Sequence, residues 1–354
     1  MGAHFRVMAC MAVLAVCAVA QAGETMKPRI VILATGGTIA GAAAGGTQAA
    51  YRSGQLGVAG LIEAVPQLQE LADIRGEQVA NIGSQDMSDA VWLQLAGRVN
   101  ALLSSSDVDG VVITHGTDTI EETAYFLNLV IKSRKPVVMT AAMRPATALS
   151  ADGPLNVFNA VAVAADPEAA GRGVLVVIND DIHGARGMTK TSTTDVQTFV
   201  SAERGLMGAT LYGDNRYFRH PYRLHTVESS LSVAGLESLP RVDVIYISAG
   251  FSADLIDAAV ANGARGIVTA GVGNGNMNAR ALDAVARAIA QGVVVVRSTR
   301  VTSGTVGRKV EIDDDALGTV ASGELNPAQA RVLLKLVLAE TSNPALVQQY
   351  FDTY

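Results

Sequence analysis

Short apolar runs recur along the chain, and stretches of helical spacing separate them. Strand-like runs stand at Ile30–Ala34, Gln78–Ile82, Val111–Thr114, Val137–Thr140 and Val174–Ile178, and helical stretches centre near Leu61, Trp92, Ala124 and Asn156. That alternation is a βαβ series. The most apolar runs lack a polar face, as expected of parallel strands covered on both sides. Right-handed crossovers would then gather the carboxyl ends of the strands along one edge of the sheet. From Arg219 to Pro240 the pattern weakens into a polar stretch containing His220-Pro221-Tyr222-Arg223, and apolar periodicity resumes at Val242. An interdomain connection is placed there, over 219–240. Beyond it, strands at Val244–Ser248, Gly266–Ala270 and Val293–Arg297 and a helix from Pro327 to about Thr341 repeat the α/β theme. The expected fold is α/β, with a large N-terminal, doubly wound, mainly parallel sheet domain over 23–218 and a smaller C-terminal α/β domain over 241–354. Two domains suit a chain of 354 residues, 49% of them hydrophobic.

Two strand-to-turn junctions carry more chemistry than the rest. In Val112-Ile113-Thr114-His115-Gly116-Thr117-Asp118-Thr119-Ile120-Glu121, hydroxyls and carboxylates follow directly on a buried run, and a helix begins near Glu121. Ligands of open α/β sheets collect at such turns. Helix capping by Thr117 and Asp118 is the plainer reading of the same residues. The second junction, Thr35-Gly36-Gly37-Thr38-Ile39-Ala40-Gly41, follows the first strand. Its paired glycines permit close backbone approach and present Thr38 beside N–H donors. It lacks the lysine of a phosphate-binding P-loop and departs from the G-x-G-x-x-G spacing. Ser84, Gln85 and Ala142 also follow strands, so all these residues converge on one crevice.

A formal charge of −6 and only 5% aromatic residues argue against a nucleic-acid partner. Residues 1–22 read as a cleavable secretory signal: Arg6, an apolar stretch from Val7 to Ala20, and the small-x-small site Ala20-Gln21-Ala22. The apolar stretch falls short of the roughly 20 residues that span a bilayer. A periplasmic or secreted protein with no membrane attachment after cleavage is expected. Cys10 and Cys17, the only cysteines, lie inside that segment, so the remaining chain can form no disulfide. Val16 before Cys17 is too bulky for a lipoprotein site.

Without cysteine, covalent chemistry would need a hydroxyl, and a hydroxyl needs a base beside it. Thr38 and Thr117 are the candidates. The histidines show no triad or metal spacing, and His115 reads as structural. Lys190, in Thr189-Lys190-Thr191, would by itself read as a solvated surface lysine.

Together, the two threonine turns resemble the signature segments of the bacterial L-asparaginase family, the exported type II branch in particular. The resemblance continues through Gly76-Glu77-Gln78, Asn81-Ile82-Gly83-Ser84-Gln85-Asp86-Met87, Ala142-Met143-Arg144-Pro145, Thr189-Lys190-Thr191, Ala270-Gly271-Val272-Gly273-Asn274-Gly275-Asn276 and Ala321-Ser322-Gly323. It implies hydrolysis of the L-asparagine side-chain amide to L-aspartate and ammonia, without metal or organic cofactor. By the same resemblance Thr38 attacks first, and water activated near Thr117 releases the product. Lys190, a base if desolvated, completes a relay with Thr117 and Asp118. Asp118 also pairs with the substrate α-ammonium. Tyr51 sits on a lid over Thr38, hinged at Gly41 to Gly46. Ser84 and Gln85 hold the α-carboxylate and α-amino groups, and Ala142 lends its carbonyl. Asn276 and Glu311 reach into a neighbouring subunit's site, so a homotetramer with shared sites is implied. Beside Asp313, Asp314 and Asp315, Glu311 also reads as part of a solvated acidic turn. The spacing of Gly271-Val272-Gly273-Asn274-Gly275 does not fit a dinucleotide loop. A glutaminase-asparaginase is the nearest alternative, because one methylene in a pocket is worth only about 1 to 3 kcal/mol. A non-catalytic amino-acid binding module is the other, although recognition alone would not need two hydroxyls and a lysine.

Overall fold

Strand β1, Arg29–Gly36, is buried from Ile30 onward, and its side chains divide between two cores. Val31 and Leu33 pack with helices α1 (Asp89–Ser104) and α2 (Ile120–Val130), while Ile30 and Ile32 pack with α3 (Gly153–Ala165). The same division separates Val111 and Ile113 from Val112, and Val137 and Met139 from Val138. Successive side chains of a strand point to opposite faces, and here both faces are covered. This is the physical reason the runs are apolar throughout.

The protein is represented by a computed structural model that describes residues 26–43, 51–52, 54–55 and 57–354. The leader reading of residues 1–22 lies outside the described residues. Along the chain follow β2 (Asp73–Ile82), β3 (Gly110–Thr114), β4 (Val137–Thr140), β5 (Val174–Ile178), β6 (Asp181–Gly184), β7 (Gly208–Leu211) and β8 (Asp214–Tyr217). With β1 they form one eight-stranded sheet in the order β8-β7-β6-β5-β4-β3-β1-β2. From β2 to β5 all pairings are parallel, and β6, β7 and β8 add an antiparallel edge. Sequence reasoning missed that edge because its strands are four residues long and mostly half-exposed. Strand β2 is longer than the predicted Gln78–Ile82, its exposed polar positions having hidden the first half.

A second, fully parallel sheet is made by β9 (Val242–Tyr246), β10 (Gly266–Gly271), β11 (Val294–Thr299) and β12 (Val320–Ala321). Strand β9 starts two residues earlier than predicted and ends before Ser248, where Phe251 N–H bonds back to the Ser248 carbonyl in a turn. Helices α4 (Asp254–Ala261) and α5 (Ala279–Ala290) join these strands, and α6 (Pro327–Val337) and α7 (Pro344–Thr353) follow. Helix α6 lies against α2, so one apolar core runs from Leu33 and Leu127 through Leu333 to Val268. The buried Lys335 ammonium of α6 meets Asp89 of α1 at 2.7 Å. Between the sheets, residues 218–241 contain only the short turn Thr226–Glu228.

Candidate active site

The parallel register of β1 and β3 sets Ala34 beside Thr114, so the turns that follow them start level. Gly36 and Gly37 then turn with φ of 107° and 82°, a region that non-glycine residues resist. A Cβ on Gly37 would lie 2.4 Å from the Gly116 nitrogen, and one on Gly116 would lie 2.5 Å from the Ser84 hydroxyl. The residues preceding Thr38 and Thr117 are thus packed backbone against backbone. Both threonines are buried, at 6% and 5% exposure.

Lys190 reaches this point from a two-residue strand, Thr189–Lys190, paired with Phe199–Val200. Its Nζ donates to Thr117 Oγ1 at 2.9 Å and to Asp118 Oδ1 at 2.6 Å. The side chain of Lys190 is 19% exposed and that of Asp118 58%, so the carboxylate opens toward solvent while the amine is mostly covered. Ser84 lies inside the cluster: its hydroxyl accepts from the Asp118 N–H at 3.2 Å, and its carbonyl accepts from Thr119 Oγ1 at 2.7 Å. Gln85, the next residue of the same short turn Ser84–Asp86, is exposed. Ala142, beyond β4, is buried in the same apolar cluster as Ile39 and Ala40, directly behind Thr38. The Tyr51 backbone pairs with Ala43; the Tyr51 side chain and residues 44–50 of the expected lid lie outside the described residues.

Asn276 and Glu311 bond to each other. The Asn276 amide donates to Glu311 Oε2 at 2.6 Å, while its own Oδ1 is buried without a partner among the described residues. Neither makes a hydrogen bond or ion pair with Thr117, Asp118 or Lys190. Arg297 and Asp314, both fully buried, hold this pair's loops: the guanidinium bonds both Asp314 oxygens at 2.7 Å and the carbonyls of Asn274 and Gly307 at 3.1 Å.

Glu121 was missed as a positioning group. Its Oε2 accepts the Lys190 N–H at 3.2 Å and its Oε1 the Asn326 amide at 3.4 Å, so it ties the lysine's backbone to α2. Burial pushes its carboxyl upward, and hydrogen bonds from Thr189, Lys190 and Asn326 pull it partly back. Its place in the first turn of α2, directly after the Thr117-Asp118 turn, is the signal that could have found it.

His115 is structural, as expected. Its Nδ1 lies 2.8 Å from the Gly116 carbonyl and must donate, so Nε2 accepts from Thr123 Oγ1 at 3.0 Å. Thr123 in turn accepts from Trp92 Nε1 at 2.9 Å. Burial lowers the His115 pKa to about 4, and burial does the same to His183. Both rings stay neutral in the fold to about pH 4, whereas unfolded they protonate near 6.5. The unfolded state then binds more protons across that window, so stability is lost as pH falls. The expected loss between pH 7 and pH 5 is roughly 2 kcal/mol for each ring. Urea midpoints at the two values measure it, and His115→Gln should remove its share of the dependence.

Residues 29–223 match the family described as "Asparaginase, N-terminal", and residues 241–351 the "Glutaminase/Asparaginase C-terminal domain". A Haemophilus influenzae protein named "Probable L-asparaginase periplasmic" is 53% identical over 92% of this chain and 93% of its own length. "L-asparaginase 2" of Escherichia coli is 51% identical over the same shares. Relatives named glutaminase-asparaginase are 41 to 43% identical. Among solved structures, that of a "Probable Cytoplasmic L-asparaginase" from Campylobacter jejuni matches with a TM-score of 0.90 and 45% identity, over 93% of this chain and 100% of that one. This likeness overturns the expected periplasmic or secreted location, since a protein described as cytoplasmic shares nearly the whole fold. The physical reason is that fold and turn chemistry carry no address, and the segment on which the expectation rested lies outside the described residues. On the two matched domains and these identities, the chain belongs to the asparaginase family.

Proposed function

We propose that the chain is an L-asparaginase, hydrolysing L-asparagine to L-aspartate and ammonia through a threonine nucleophile and an acyl-enzyme. One observation carries the reading: a mostly buried amine lies 2.9 Å from one threonine hydroxyl and 2.6 Å from a carboxylate, beside the turn that presents a second threonine. Thr38 Oγ bonds to the side-chain carbonyl carbon, the carbon–nitrogen bond breaks, and ammonia leaves with the hydroxyl proton. Water then attacks the ester, passing a proton toward Thr117 and Lys190; the bond from Thr38 Oγ to the acyl carbon breaks, a proton returns to that oxygen, and aspartate departs. Two backbone turns meeting at van der Waals distance would hold the developing oxyanion among N–H donors. Asp118, open to solvent beside Ser84, suits a substrate α-ammonium, with Ser84 and Gln85 on the α-carboxylate and α-amino groups. Tyr51 serves on the lid and Ala142 lends its carbonyl.

Asn276 and Glu311 complete a neighbouring subunit's site in a homotetramer. Their bonding to each other rather than to Lys190, together with the buried and unpartnered Asn276 Oδ1, supports that role. The two sheets support functional units at 23–218 and 241–354 joined by 219–240.

Measuring ammonia release from L-asparagine and L-glutamine tests the reading. The expected kcat/KM ratio favours asparagine by about tenfold or more, the value of one misplaced methylene. Equal efficiencies would instead establish the glutaminase-asparaginase, in line with the relatives of that name. Release from neither would leave a binding module.

A further inference from the structure

Away from the threonine turns, where the linker lies on the antiparallel edge of the large sheet, a small hollow is walled by arginines. Arg172, Arg186, Arg204, Arg219 and Arg223 all line it, in a protein whose formal charge is −6. The hollow has a volume of about 40 Å³. Glu324 is the side-chain carboxylate bonded to these guanidinia among the described residues, meeting Arg186 at 2.8 Å and also pairing with Arg204 and the Tyr222 hydroxyl, and Arg186 Nε donates to the Tyr354 main-chain oxygen at 2.7 Å.

Among the described residues, Arg172, Arg219 and Arg223 have no carboxylate in contact. Arg172 donates to the carbonyls of Glu168 and Arg219, and Arg219 to those of Leu206 and Gly205. Arg223 makes no hydrogen bond among the described residues, and its Nε is buried without a partner. A buried donor left unmade costs the full desolvation of that group, and a charged one costs more. Burial and the like charge of Arg204 hold Arg219 below its ordinary value, so the cations press on one another.

We infer that this hollow binds a small tetrahedral oxyanion of the inorganic phosphate class, which ties the linker to the large sheet. Guanidinium forks match phosphate oxygens in pairs. Free aspartate fits less well, because its ammonium would need an acceptor and Glu324 already serves three donors. The hollow is also too small for a nucleotide. Arg219 and Arg223 belong to the linker, and Arg172 and Arg186 flank strands β5 and β6, so one ion would tie the linker to the large sheet.

Thermal unfolding and calorimetric titration of the full chain with sodium phosphate, against sodium chloride at matched ionic strength, test this. The expected result is a Tm raised by several degrees at phosphate well above Kd. Arg223→Gln should bind phosphate about tenfold or more weakly, with asparagine hydrolysis unchanged. Arg204→Gln, at an exposed wall position, is a second variant expected to weaken binding should the first fail to fold. An equal Tm in phosphate and chloride overturns the inference, as does phosphate stabilisation that both variants retain. A shift by sodium aspartate that disappears in Arg223→Gln overturns the phosphate assignment.

Discussion

Replacing Lys190 with Met is expected to lower kcat for asparagine by about three orders of magnitude, the middle of the range for losing a positioned proton-transfer group. Methionine keeps the length and apolar stem of the side chain while removing the amine, so Thr117 Oγ1 loses its partner at 2.9 Å and Asp118 its partner at 2.6 Å. Stability should change by no more than about 1 kcal/mol, because Asp118 is more than half exposed and its pair is screened by solvent. Lys190→Arg should not rescue turnover, since a guanidinium keeps its charge and cannot take up a proton. Thr117→Val should lose a comparable factor. The double variant should lose little more than either single, as groups acting in one relay are not additive. Steady-state ammonia release with a parallel urea titration separates the two effects. A kcat within tenfold of the parent would exclude Lys190 from the proton path.

Asp314→Ala is expected to destabilise the fold by about 3 to 5 kcal/mol, because it leaves the Arg297 charge buried and unpaired. Both residues are 1% exposed, and two hydrogen bonds of 2.7 Å join them. Asp314 also accepts from the Lys309 N–H at 2.9 Å and from Thr319 Oγ1 at 2.6 Å. Burial raises its carboxyl pKa, but the bonds from Arg297, Thr319 and Lys309 more than reverse that and hold it below the ordinary range. The guanidinium would lose its anchor on the loops that carry Asn276 and Glu311, so activity should fall with stability. Exchanging both partners for apolar residues, Arg297→Met with Asp314→Leu, should recover much of the stability and none of the loop order. Urea midpoints for the three proteins test this, and a single variant as stable as the parent would contradict it.

Reading of the site from sequence rested on position along the sheet. Thr38, Ser84, Thr117 and Ala142 each follow a strand that the apolar runs disclosed, and parallel topology places all four at one edge. Lys190 was different, because a lysine in a polar segment looks solvated. Only the hydrogen bond from its backbone to Glu121 and the short pairing with Phe199–Val200 turn its amine toward Thr117. The arginine-lined hollow was likewise invisible, its members being scattered over 52 positions from Arg172 to Arg223.

The order of apolar and polar residues alone determined that the chain makes two α/β layers, that β1 and β3 are buried on both faces, and that hydroxyls stand where those strands end. Local periodicity is enough for this, since burial of a strand depends on its own few side chains. Tertiary structure alone decided which distant groups meet: the contact of Gly37 with Gly116, the amine of Lys190 on Thr117, the ion pair of Lys335 with Asp89, and the bond of Asn276 to Glu311. Such meetings are set by how whole elements pack, and a sequence carries no local mark of a partner 73 or 246 positions away.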